Sequence, residues 1–144
     1  MRQIVNQEPS VESLDISRET LAFIIVEARA LDVQNATGGP GDGGSPGEDG
    51  ATGLFDGGDG ATASELSSAI RRLSADEQVA LVALTWIGRG DFDAADWEEA
   101  KATARERRVG PTSRYLMGIP LLGDYLEEGA AALGVNLADE EAEL

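Results

Sequence analysis

The chain contains no cysteine and no histidine, few prolines and only 5% aromatic residues. Without cysteine there is no disulfide, no thiol nucleophile and no thiolate zinc site. Without histidine there is no imidazole ligand and no side chain ordinarily suited to general-base work at neutral pH. Phosphate-binding loops of the GxGxxG or Walker type are missing, and so is a nucleophile-elbow sequence. No cofactor or metal is therefore expected. No apolar run reaches the ~20 residues that a membrane-spanning helix needs. The opening stretch MRQIVNQEPSVESLD has no apolar leader core, which makes the cytoplasm the expected location. Positive charge is scarce too, with 11 Lys+Arg against 27 Asp+Glu and a net charge of −16. Such a field repels phosphate backbones and anionic membranes. The expected partner is another protein, a basic one if charge is the guide, with no nucleic acid and no membrane.

What the chain does have is helical periodicity. At 144 residues it fits one domain. Ser17 suits an N-cap, and Leu21, Ile24, Ile25, Ala28 and Leu31 recur at helical spacing, with Phe23 and Val26 widening the apolar face. Residues 65–73 read as a short helix. Ser74 and Glu77 form a capping box that opens a helix from Ala75 to about Ile87, whose run VALVALTWI is apolar on nearly every side. Gly88 and Gly90 stop it. Asp91 or Asp93 is expected to cap a helix over 94–108, with Trp97, Ala100 and Ala104 on its apolar stripe. Gly110-Pro111 breaks the chain before a short turn capped by Thr112. Pro120 suits the first position of a last helix that buries Leu121, Leu122, Tyr125, Leu126 and Leu133.

Residues 35–63 break these patterns. They carry five Asp or Glu and no Lys or Arg, and Leu54 and Phe55 are their only large apolar side chains. A segment of that kind buries too little to offset its ordering entropy, so it is expected to be a flexible linker, with Leu54-Phe55 as a small docking anchor. Within it, Gly38, Gly41, Gly44, Gly47, Gly50 and Gly53 fall at every third position. The run is too short and too poor in proline for a triple helix. The expected organisation is an N-terminal extension at 1–16, a helical domain at 17–134 that includes the linker, and a frayed acidic tail at 135–144. The expected fold is all-α, a small bundle of four or five helices with the Gly/Asp-rich loop after the first.

Several blocks then carry a resemblance: FIIVEARALDV, SPGEDG, LSADEQVALVALTWIGRGD and TSRYLMGIPLLGDYLEEG, in that order and followed by Gly134. Together, over about residues 17–134, they resemble the bacterial family catalogued as domain of unknown function 3775. The resemblance implies a small helical bacterial protein and carries no catalytic residue with it.

Short motifs yield to structural readings. Arg89-Gly90-Asp91 spells an integrin tripeptide, but it also describes a helix C-terminus with Arg89 at the negative end of the dipole. Arg89 is a candidate to pin two helices through a carboxylate such as Asp124. Asp91, Asp93 and Asp96 fail the calcium-loop pattern, with Asp96 where glycine is required and Ala102 where a bidentate Glu is required. Asn35-Ala36-Thr37 is a sequon without consequence in a cytoplasmic protein. The one segment that suggests more is YLMGIP, an irregular bend that would line a groove if it packed against the GRGD turn. Its candidate residues are Trp86, Arg89, Asp91, Arg114, Tyr115 and Tyr125, for which ordinary core packing is the favoured reading and a groove the alternative. The leading function class is a non-enzymatic protein-interaction module. The alternatives are a small-ligand-binding protein or carboxylate-based enzyme, and a self-associating structural protein built on the broad apolar face of the first helix.

Overall fold

A computed structural model describes residues 14–43 and 57–144, with side chains at 14–35 and 60–144. Seven α-helices run through these residues: α1 Arg18–Gly43, α2 Gly57–Arg71, α3 Ala75–Arg89, α4 Trp97–Glu106, α5 Thr112–Met117, α6 Leu122–Ala132 and α7 Ala138–Ala142. A 3-10 turn at Ala94–Asp96 leads into α4. No strand occurs among the described residues, and the fold is all-α.

The core forms around α3, because its residues Gln78–Ile87 are all buried. The capping box starts the helix as expected. The Ser74 hydroxyl accepts from the Glu77 amide at 3.1 Å, and the Glu77 carboxylate accepts from the Ser74 amide at 2.8 Å. Gly90 closes it at φ +96, a left-handed conformation that costs glycine little. Helix α6 lies against α3 and α1 against α6, while α2 packs on α1 and α4 on α3. Leu21, Ile24 and Ile25 of α1, Leu66 and Ile70 of α2, and Leu126 of α6 meet there, all but fully buried.

Several expectations need correction. Seven helices occur among the described residues where four or five are expected, because α5 and α7 are short elements that sequence periodicity does not register. The loop expected after the first helix keeps its place in the chain, and of the 35–63 stretch only the ends belong to helices, α1 running to Gly43 and α2 beginning at Gly57. The rest of that stretch, with Leu54 and Phe55, lies outside the described residues. The acidic end forms α7 instead of fraying, because Arg18 pairs with Glu140 at 2.9 Å and Arg29 with Glu141 at 3.2 Å. Leu14 and Ile16 before the expected domain, and Val135 and Leu137 after it, are core residues. The helix expected to be last, α6, starts at Leu122, not Pro120, and Leu121 stands half-exposed at φ +64 with its amide donating to Asp32 at 3.1 Å. Asp93 occupies the N-cap position of the 3-10 turn without a side-chain cap bond, and Thr112 is the first residue of α5 behind Pro111.

Candidate functional site

The last turn of α3 and the start of α5 meet because two breaks in the chain aim them at each other. Gly90 ends α3 in a tight turn, and Gly110 at φ +79 with Pro111 redirects the chain after α4. Trp86 and Tyr115 are thereby brought together, the indole N–H donating to the Tyr115 hydroxyl at 2.9 Å. The Trp86 ring stacks on Phe92, centroids 5.7 Å apart. Arg89 folds back on Asp91 through two hydrogen bonds of 3.0 and 2.7 Å. The Asp91 carboxylate is the main cause that holds the Arg89 guanidinium above its ordinary pKa, against burial and with the Tyr115 hydroxyl adding to it.

Beside this cluster lies a groove of about 270 Å³. Val79, Val82 and Trp86 of α3 and Ala104 of α4 line it, with Thr112 and Tyr115 of α5 on the far side. The connection between α4 and α5 completes it with Arg107, Arg108 and Val109. Val109 is 89% exposed and Tyr115 is 42% exposed, so apolar surface continues from the floor onto the lip. Arg108 is fixed there by donating to Gln78 Oε1 at 3.1 Å, and Gln78 in turn donates to the Ile70 carbonyl at 3.0 Å.

Of the six residues expected at a groove, Trp86 and Tyr115 line this one, while Arg89 and Asp91 pair with each other and do not line it. Arg114 is exposed on α5 and does not line it, and Tyr125 sits at the α3–α6 crossing, its backbone against Gly88. The idea that Arg89 joins Asp124 is wrong in its cation. Arg29 takes Asp124, at 3.0 Å, together with Glu127 and Glu141. Arg107, Arg108 and Val109 escaped the sequence reading. The run RERRV does stand out in so acidic a chain, but basic residues at a helix end also have a routine role on the dipole.

A second groove of about 440 Å³ lies between α1 and the Gly118–Leu121 bend, with Asp32 and Asn35 as its polar groups. A third, shallower one borders Glu127 and Asn136. None of the three brings two carboxylates together, and no cluster of metal-ligating side chains occurs among the described residues. No helix among them is long and apolar enough to cross a membrane.

These features define a small all-helical domain with a laterally open, apolar-floored groove. The chain belongs to the protein family of unknown function DUF3775, whose profile matches residues 63–135. The blocks around TWIGRGD and YLMGIP fall inside that span and FIIVEARALDV falls before it. No curated protein and no solved structure matches the chain.

Proposed function

We propose that the protein is a non-enzymatic interaction module that holds an apolar segment of another protein in the groove between α3, α4 and α5. The observation that carries this reading is the continuity of the groove's apolar floor with exposed Val109 and Tyr115. Exposed apolar surface beside a concave floor is what a docking partner covers. The volume favours a side chain over a metabolite. At about 270 Å³ the groove lies at the low end of the ~300–1,000 Å³ usual for small-ligand pockets and is open at the side, which suits one or two anchoring side chains. The polar groups at its edge argue against catalysis. The Trp86 indole and the Tyr115 hydroxyl satisfy one another, Arg89 is held by Asp91, and no carboxylate lines the groove to act as acid or base. The proposal takes the bacterial cytoplasm as its setting, which the lack of cysteine permits.

The test is affinity purification from the cells that make the protein, comparing the wild type with Ala104→Leu, which fills the floor. A stoichiometric partner whose recovery falls at least tenfold in the variant, while both proteins melt alike, is the expected result. A partner recovered equally by both would remove the groove from the function.

A further inference from the structure

The groove is cationic in a strongly anionic chain. Of the other described cations, Arg18, Arg29, Arg89, Lys101 and Arg105 each have a carboxylate partner within 4 Å, while Arg71, Arg72 and Arg114 have none among the described residues but line none of the three grooves. Arg107 and Arg108 have none among the described residues, although the chain holds 27 acidic groups. The one hydrogen bond that fixes Arg108 goes to a neutral amide oxygen, so it orients the guanidinium and leaves its charge uncompensated. Two consecutive arginines without a carboxylate partner among the described residues therefore line a groove with an apolar floor, next to an exposed valine.

We infer that the groove binds a short acidic–apolar segment of a partner protein, its apolar side chain on Val79, Val82 and Ala104 and its carboxylates on Arg107 and Arg108. This rests on the groove being the docking surface. It departs from the basic partner that net charge suggests, because the two criteria act over different distances. At physiological salt the charge of the whole chain is screened beyond about 8 Å, while a carboxylate in the groove meets the arginines in direct contact. Guanidinium also suits this task, since it takes a carboxylate through two parallel hydrogen bonds and is more weakly hydrated than ammonium.

The experiment is selection from a random heptapeptide library displayed on phage, with the full chain as bait, alongside the Arg107→Glu, Arg107→Glu/Arg108→Glu and Ala104→Leu variants. Arg107 is exposed and without a partner among the described residues, so its single replacement leaves the fold intact even if the double variant does not. The wild type should enrich peptides with an aliphatic or aromatic residue flanked by Asp or Glu. Affinity of a synthetic consensus peptide should fall at least tenfold with either charge reversal and with Ala104→Leu. Library selection on Arg107→Glu should shift toward Lys or Arg flanks. Apolar peptides without acidic flanks, lost in Ala104→Leu but indifferent to Arg107→Glu, would overturn the inference and leave the groove as a docking surface. Binding indifferent to Ala104→Leu, or no enrichment at all, would overturn both.

Discussion

Arg29 shows how one side chain can organise a surface. Its guanidinium holds Asp124 and Glu127 of α6 and Glu141 of α7, and so joins three helices. Burial first, and the Glu127 carboxylate second, raise the pKa of Glu141 even with Arg29 beside it. One oxygen of Glu141 is buried without a hydrogen-bond partner among the described residues. Remove the cation and three carboxylates are left facing each other. Exposed ion pairs contribute little singly, ~0–1 kcal/mol, and Arg29 is half-exposed. Arg29→Met should therefore cost about 1–2 kcal/mol in all, concentrated at α7. Hydrogen exchange should speed up in residues 138–142 more than in α3, and adding Glu141→Gln should recover part of the loss. Unchanged exchange in α7 would mean that Leu137 and Val135 hold that helix without the ion pairs.

At the scale of elements, the contact between α3 and α6 depends on two glycines offset by helical turns. A Cβ at Gly88 would overlap the Tyr125 carbonyl, and one at Gly129 would overlap the Leu84 carbonyl. Gly123 plays a similar part against α1, where a Cβ would come within 2.8 Å of the Ile25 carbonyl. Because the obstacles are backbone atoms, no rotamer change relieves them. Gly88→Ala and Gly129→Ala should each destabilise by about 3 kcal/mol in urea melts, despite alanine's better helix propensity. A stabilised variant would mean that the helices slide apart at little cost. These glycines also mark the limit of what the sequence discloses. Gly88 reads in the sequence as a stop signal, but α3 runs through it to Arg89; its use as a contact point depends on which helix crosses it, and no local pattern encodes that. The capping box, the apolar character of α3 and the stop at Gly90 were legible because each is set by neighbours in sequence. Helix α7 was not, since ADEEAEL is held by Arg18 and Arg29, more than 100 residues away, and by the burial of Val135 and Leu137 before it. The groove was half legible. Trp86 and Tyr115 announce themselves as aromatics near a break, but Arg107 and Arg108 take on meaning only once carboxylates are seen to be absent around them.

Across the whole molecule, the excess of negative charge turns into a dependence of stability on pH. Among the described residues, three carboxyls have pKa values raised above their ordinary ones. Burial and then Glu65 act on Glu27, burial acts on Asp32 against the Leu121 amide, and burial and then Glu127 act on Glu141. In the unfolded chain these groups titrate near 4.5, 3.8 and 4.5, and in the folded chain they keep their protons to higher pH. Their contribution to stability is complete below the unfolded values and is lost as pH rises through the folded ones. The repulsion within a chain of net charge −16 acts in the same direction. The protein should therefore melt higher at pH 5 than at pH 8. Added sodium chloride should raise the midpoint more at pH 8, where self-repulsion is larger, than at pH 5. The variant Glu65→Gln, which relieves Glu27 of its like-charged neighbour across α1 and α2, should raise the midpoint at pH 8 and flatten the profile. Calorimetry across this range decides the matter. A midpoint that falls steadily from pH 8 to pH 5 would mean that the ion pairs of Arg18, Arg29 and Lys101 outweigh both burial and repulsion.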